Sequence, residues 1–382
     1  MRILHTSDWH LGRTFFGVDL HRAHAAFLDF LVDTVVDSEV DAVLVAGDVY
    51  DRAIPPQESL ELFDATAQRL LAAGVHLVVS SGNHDSFMRL GMGRRLVDPA
   101  GLHVRTRLSD IDWAIPLRAR DSRDDDPAVV VYAIPYLEPG LVHARFGVPR
   151  THTAVLGAAM DRVRAHAAAH HPELPVLVMA HAFVAGGAGS ESERDIGIGG
   201  VGVAPASVFD GAAYAALGHL HRPQAITPAV RYSGSPIPFS FTEALTPKQM
   251  ILLDVDGPTI TPTAVPVPEF TAIATLRGTF AEIVAGAAEH AESLVAVELT
   301  DPERVDGALG RLRQVLPGLI RLSYLRAGDL GQLELPDAAA AAARSDGEVF
   351  TAFVEDVTGR AARRGEIDRF ETALAAALRE DA

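Results

Sequence analysis

The sequence predicts an α/β fold: a layered sandwich of sheets flanked by helices, followed by a small α/β module and terminal helices. Two observations lead there. Five short apolar runs of strand character each end in a cluster of Asp, His or Asn, and helical patterns separate the first three. The runs lack clean alternation, which suits sheets buried on both faces. In such folds ligands collect beyond the carboxyl ends of the strands, so the five polar clusters would gather along one edge.

RILHTSDWH (2–10) is the first run, followed by the helical stripe Phe27, Leu28, Leu31 and Val35. DAVLVAGDVYD (41–51) is the second, and Leu60, Phe63, Leu70 and Leu71 set the next helix. HLVVSSGNHD (76–85) is the third. RARDSRDDDPA (118–128) reads as a solvated acidic loop, and PVLVMAHAF (175–183) is the fourth run. The Gly-rich stretch 184–205 lacks any period and directly follows a polar cluster, so its 184–203 part is a candidate for substrate contact. AAYAALGHLH (212–221) is the fifth run. If its strand continues, His219 and His221 at i and i+2 point to one side.

Prolines 258, 262, 266 and 268 fall within GPTITPTAVPVPEF (257–270), a density that stops helices and central strands. This reads as a linker closing a first domain at 1–256. TAIATLRG then reads as a strand, and Thr279 with Glu282 forms a capping-box signature for a helix from Phe280. LVAVELT is a second strand, Asp301-Pro302 offers a helix cap with Pro at N1, and LIRLSYLR (319–326) is a third strand. Together they make a small capping module at 271–335. Within 336–382, Val349, Phe350, Phe353, Val354 and Val357 form one apolar helical stripe, and Ile367, Phe370, Leu374 and Leu378 another. Those helices either fold back on their own domain or dock against a partner.

Composition narrows the chemistry. The 382 residues contain no cysteine, which excludes disulfides, thiolate metal sites and cysteine nucleophiles. The N-terminus turns polar after four residues, unlike a secretory signal, and no apolar run approaches the length of a membrane span, so a cytoplasmic address is expected. A formal charge of −17 argues against holding nucleic acid by bulk electrostatics. Arginine supplies almost all the basic residues, and Lys248 is the only lysine.

The strand-end clusters contribute Asp8 and His10, Asp48, Asn83, His84 and Asp85, His181, and His219 and His221. Carboxylate, imidazole and amide donors without sulfur suit manganese, iron or zinc. The set exceeds what one tetrahedral ion needs. Two ions roughly 3.5–4 Å apart, sharing a bridging carboxylate, can activate water for phosphoryl hydrolysis. Asp48, in the central cluster, is the candidate bridge, and glycines before Asp48, Asn83 and His219 would permit tight turns. The donor set alone does not name the substrate, so a binuclear phosphatase or cyclic-nucleotide phosphodiesterase and a non-catalytic DNA-end-binding scaffold both stand as readings.

SDWH, GDVYD, SGNHD, MAHAF and GHLH resemble the calcineurin-like binuclear metallophosphoesterases. HTSDWHLGR (5–13), GDVYDRAIPP (47–56), SESER (190–194), ALGHLHRPQ (216–224) and RYSGSPIPFSF (231–241) are closest to their SbcD branch of bacterial nuclease subunits. That resemblance implies that Asp8, His10, Asp48 and His221 hold one metal and Asp48, Asn83, His181 and His219 the other. His84 would face the scissile phosphate unligated, with Asp85 fixing its orientation. Archaeal members carry a second histidine where this chain has Asp51. The resemblance further implies two manganese ions and 3′-to-5′ exonuclease and hairpin endonuclease action on DNA, with Arg13 a candidate backbone contact. It also implies an SbcC-type SMC-like ATPase docked by residues 336–382 and a homodimer formed through helices within 57–100, inside a heterotetramer.

Overall fold

The computed structural model describes residues 1–120, 126–190, 192–193, 203–325, 351, 362–367 and 369–370. The chain divides into two compact units. One comprises Met1–Leu299 with Val305–Ser323; the other, Thr300–Arg304 with Tyr324–Ala382, falls mostly outside the described residues.

The first part of the chain supplies β1 (Arg2–Thr6), the short hairpin of β2 (Thr14–Phe15) and β3 (Val18–Asp19), α1 (His21–Asp37), β4 (Ala42–Ala46), α2 (Gln57–Ala72) and β5 (His76–Ser80). Two single-turn helices, α3 (Phe87–Leu90) and α4 (Arg94–Val97), precede β6 (Leu102–Arg105). The next part supplies β7 (Ile115–Leu117), β8 (Val129–Ala133), α5 (Pro139–Phe146), α6 (His152–His170), β9 (Val176–His181), the pair β10 (Phe183–Val184) and β11 (Val203–Ala204), β12 (Tyr214–Gly218), β13 (Gln224–Ala225) and β14 (Val230–Tyr232). β15 (Gln249–Asp256) and β16 (Thr259–Pro266) return to the first sheet.

Two six-stranded sheets result, in the orders β16-β15-β1-β4-β5-β6 and β13-β14-β12-β9-β8-β7. In the first, β1, β4, β5 and β6 are parallel; in the second, β8, β9, β12 and β14 are. The sheets pack face to face through Ile3, Leu44 and Val78 against Val131, Leu177, Met179 and Tyr214. Phe27, Leu28, Leu31 and Val35 of α1 cover the outer face of the first sheet, and Val155, Ala159 and Val163 of α6 cover that of the second. The expected single edge is therefore made by two sheets, because β1, β4 and β5 lie in one and β9 and β12 in the other. Their carboxyl ends still converge.

Three local expectations are corrected. Residues 259–266 form a regular edge strand rather than a linker, paired antiparallel to β15 with Pro262 opposite Leu253 and Pro266 opposite Gln249. An edge strand has one partner, so proline's missing N–H is tolerated there. On α2 the inward residues are Ser59, Thr66, Ala67 and Leu70, while Leu60 is 45% exposed. The helix expected after Asp301-Pro302 begins only at Ala308, behind Gly307 at φ 63°, where Ala308 and Leu312 become buried.

The small module is the three-stranded sheet of β17 (Ile273–Gly278), β18 (Leu294–Leu299) and β19 (Leu319–Tyr324), with α7 (Phe280–Gly286) and α8 (Ala308–Val315). The Thr279–Glu282 capping box forms as expected. Ile273, Leu294 and Ala296 pack with Phe15, Leu20, Phe239 and Phe241, which joins this sheet to loops at the polar edge. The terminal helices expected across 336–382 lie outside the described residues, apart from 351, 362–367 and 369–370. Among the described residues no helix is long and apolar enough to cross a membrane.

Candidate metal centre

Each of the five runs delivers its polar cluster at or just past a strand end, and in three of them the delivery strains the backbone. Asp8 (φ 54°), His10 (46°), Asp48 (50°) and His219 (106°) all take positive φ, a conformation costing about 1–3 kcal/mol per non-glycine residue. Short backbone bonds hold them: Asp8 N–H donates to the Gly47 carbonyl (3.1 Å), His10 N–H to that of Asp48 (2.9 Å), and His219 N–H to the Asp8 carboxylate (3.0 Å). The strand therefore stops at Gly218, and His219 and His221 do not share a strand face. Their rings part, His219 lying 5.4 Å from the His181 ring and His221 5.0 Å from that of His10.

The preceding glycines are required by close approach more than by turn geometry. A Cβ on Gly82 would lie 2.2 Å from Asp48 Oδ1, and one on Gly218 would lie 1.9 Å from the Ala46 carbonyl oxygen. Only Gly47, at φ 85°, also needs the left-handed conformation.

Asp8, His10, Asp48, His84, His181, His219 and His221 are all buried. Asp48 sits at the middle. Its Oδ2 lies 3.5 Å from His10 Nε2, 3.4 Å from His181 Nε2 and 3.9 Å from His84 Nε2, while its Oδ1 accepts the His84 N–H at 2.9 Å. His10 Nε2 and His221 Nε2 face each other at 3.1 Å, and His181 Nε2 lies 2.9 Å from Asn83 Oδ1. Three triads place one ligand atom per residue within 4.8 Å of one another: Asp8, His10 and His221; Asp8, Asp48 and His181; His10, Asp48 and His84.

The electrostatics call for a cation. Burial raises Asp8 to about 6. Burial also opposes ionising Asp48, yet the charge and hydrogen bond of His181, with His10 and His84, hold it well below the usual carboxylate range. Against its own burial, Asp48 and Asp8 lift His181 to about 9, so the carboxylates recruit a protonated imidazole as counter-charge. Burial pushes His10 down to about 3 and His219 well below its ordinary value. Among the described residues buried His10 Nδ1 has no hydrogen-bond partner, with Asp51 Oδ1 3.5 Å away. Two buried carboxylates among mostly neutral imidazoles fit divalent ions of borderline hardness.

Two expected roles change. Asp85 accepts the N–H groups of Gly82 (2.9 Å), Tyr50 (3.0 Å) and Val49 (3.2 Å), so it ties two loops together. The His84 ring has the Asp51 carbonyl 2.7 Å from Nδ1. Arg13 is folded inward, donating to the Ser192 carbonyl (2.7 Å), lying 3.5 Å from Asp51 and stacking over Phe239 at 4.7 Å. Of the 184–203 segment, residues 191 and 194–202 lie outside the described residues.

Sequence reading missed Glu243, which is fully buried behind His221 with its Oε1 3.1 Å from Nδ1. Burial works against its ionisation, but the His221 hydrogen bond and the Lys248 charge hold it far below the usual carboxylate range. It also missed Phe239, whose ring meets those of both His10 (5.2 Å) and His221 (5.4 Å). The one available signal was Lys248, the sole lysine, which is buried against Glu243.

Comparison with known proteins gives the family. The calcineurin-like phosphoesterase family matches residues 1–223, and the type 5 capsule protein repressor C-terminal domain matches residues 269–358. The SbcD subunit of the SbcCD nuclease from Escherichia coli K12 is 36% identical over 296 residues, covering 75% of this chain and 73% of that one. The Rhodobacter capsulatus protein of the same name is 40% identical over 274 residues, covering 67% of each chain. That of Staphylococcus saprophyticus is 28% identical over 328 residues, covering 85% of this chain and 84% of its own.

Proposed function

The chain belongs to the SbcD branch of the calcineurin-like phosphoesterases, and from that premise we propose that it is a manganese-dependent DNA nuclease working with an SbcC-type ATPase. Membership makes it a metal-dependent phosphodiesterase of the nuclease type. The finer reading is 3′-to-5′ exonuclease action on duplex ends and endonuclease action on single strands and hairpins, in DNA repair, recombination and replication. A cytoplasmic, nucleoid-associated location goes with that substrate.

One observation carries the two-ion assignment: a single atom, Asp48 Oδ2, lies 3.5 Å from His10 Nε2 and 3.4 Å from His181 Nε2. Asp8, His10, Asp48 and His221 would hold one ion, and Asp48, Asn83, His181 and His219 the other. Bound there, the pair would supply an activated water and charge stabilisation for the attacking and leaving oxygens. His84 would move the proton. Its Nδ1 is engaged by the Asp51 carbonyl, which aims Nε2 into the centre, toward a leaving oxygen. Asp85 keeps the 47–50 and 82–85 loops in register, so its effect on His84 is indirect. The inward-folded Arg13 would act by seating the loop at Ser192 over the centre rather than by contacting DNA.

Partner sites follow the same reading. Leu60 (45% exposed), Met88 (54%), Met92 (83%) and Leu96 (84%) are exposed apolar residues inside the 57–100 span assigned to a homodimer. The family match to 269–358 reaches into the C-terminal region assigned to SbcC docking. The test is purified protein with manganese on end-labelled duplex, hairpin DNA and a chromogenic phosphodiester. Shortened duplex and opened hairpins are expected; hydrolysis of only the small ester would replace the nuclease reading with a phosphatase or cyclic-nucleotide phosphodiesterase.

A further inference from the structure

Behind His221 lies a buried ion pair that no part of the proposed mechanism uses. Glu243 is fully buried and Lys248 nearly so. The ammonium is saturated: its three protons meet Glu243 Oε2 (2.9 Å), Ser235 Oγ (2.9 Å) and the carbonyl oxygen of His221 (3.0 Å). Lys248 therefore grips both the backbone of His221 and the carboxylate facing its ring. On the other side of Glu243, Oε1 accepts from Ser190 Oγ (2.9 Å) and from the Ser192 hydroxyl, and lies 3.1 Å from His221 Nδ1. Phe239 N–H adds a bond to Oε2 at 3.2 Å. Ser192 Oγ is itself 2.7 Å from Nδ1. Because that hydroxyl donates to Glu243, only its lone pairs face the imidazole. Among the described residues every group reaching Nδ1 is thus an acceptor, which places the ring proton on Nδ1 and the lone pair on Nε2. Nε2 points at His10 Nε2, in the triad with Asp8.

We propose that Glu243 is a positioning residue for the metal centre: its carboxylate fixes the tautomer and tilt of His221 so that Nε2 faces the ion held with Asp8 and His10. The proposal rests on the two-ion reading above. A carboxylate behind a metal-binding histidine fixes ring orientation and raises its donor strength, and its loss typically weakens metal binding about 10–100-fold. A buried ion pair is otherwise a poor stabilising device, since well-packed apolar residues of similar volume do as well or better. The pair is better explained by what it holds.

The experiment compares the full chain with Lys248→Met, which keeps the carboxylate against His221, and with Glu243→Gln/Lys248→Met, which removes both charges together. Two readouts are taken: the 15N shifts of the His221 ring in metal-free protein, and manganese binding by calorimetry. The expected results are an Nδ1–H tautomer in the unaltered chain and in Lys248→Met, and a mixed tautomer in the double variant. The double variant should bind one of its two ions about 10–100-fold more weakly and the other unchanged. An unaltered tautomer and two unaltered affinities in the double variant would overturn the proposal. So would Lys248→Met matching the double variant in both readouts, because the effect would then belong to packing. Fewer than two ions on the unaltered chain would count against the two-ion reading, and the tautomer comparison would still decide the role of Glu243. If Lys248→Met does not fold, the charge-neutral double variant and Glu243→Asp, which shortens the reach to Nδ1, give the same comparison.

Discussion

Replacing His84 separates chemistry from metal binding at this centre. The imidazole lies 2.7 Å from the Asp51 carbonyl through Nδ1 and makes an edge-on contact with His10 at 4.7 Å between ring centres. Its Nε2 stands 3.9 Å from Asp48 Oδ2, too far for a hydrogen bond. Truncation to Ala removes that hydrogen bond, worth roughly 0.5–1.5 kcal/mol, and that aromatic contact, of about the same size. The sum, about 1–3 kcal/mol, leaves the chain folded. His84→Asn should lose less, because its amide can still donate toward the Asp51 carbonyl. A general acid contributes about 10²–10⁴ in rate, or roughly 2.7–5.5 kcal/mol of barrier, at 1.36 kcal/mol per tenfold. Both variants should thus show kcat reduced by about 10²–10⁴ on duplex DNA with manganese, while still binding the same number of ions. The assay pairs single-turnover cleavage with metal analysis of the dialysed protein. His84 shares a ligand-distance triad with His10 and Asp48, so the opposite outcome is concrete: loss of one ion would make His84 a ligand and refute the proton-transfer role.

Other substitutions probe the frame around the site. Gly218→Ala would drive a Cβ to 1.9 Å from the Ala46 carbonyl oxygen, inside a buried strand that cannot yield. It should destabilise by more than about 4 kcal/mol or prevent folding. Gly286→Ala, with nothing within 4 Å, should leave the melting temperature unchanged or slightly raised. Buried Arg105 donates to Asp98 at 2.6 Å and stacks on Trp113 at 3.9 Å. Asp98 is 19% exposed and also faces His103, so Arg105→Met should sit at the lower end for a broken buried pair, about 3 kcal/mol, read as a lower denaturant midpoint. If the proposed homodimer forms through 57–100, Met92→Asp with Leu96→Asp, on exposed positions, should give a monomer in light scattering where the unaltered chain gives a dimer. Continued dimerisation would move the interface elsewhere.

What the sequence made legible follows from how local each feature is. The five clusters could be read because each candidate ligand ends its strand or follows it within a few residues, as His181 ends Val176–His181 and Asp8 and His10 follow Arg2–Thr6. The Thr279–Glu282 cap was legible for the same reason: its two partners are three residues apart. Periodicity reports burial but not which sheet a strand joins, so the division of β1, β4 and β5 from β9 and β12 was invisible. Prolines 262 and 266 misled because their exclusion applies to central strands, and β16 lies at an edge. The left-handed backbone of His219 depends on the Asp8 carboxylate 211 residues away, and no local propensity encodes that. Glu243 stayed hidden because its meaning comes from a contact with His221, 22 residues earlier and on another element. The Asp51 group beside His84 Nδ1 is a main-chain carbonyl, which carries no side-chain signature at all.

The central claim, two ions sharing Asp48, is tested most directly by anomalous diffraction at the manganese edge from crystals grown with that metal. Two peaks roughly 3.5–4 Å apart are expected, with Asp48 between them, His10 and His221 on one side and His181 and His219 on the other. A single peak, or two peaks of which only one touches Asp48, would contradict the account.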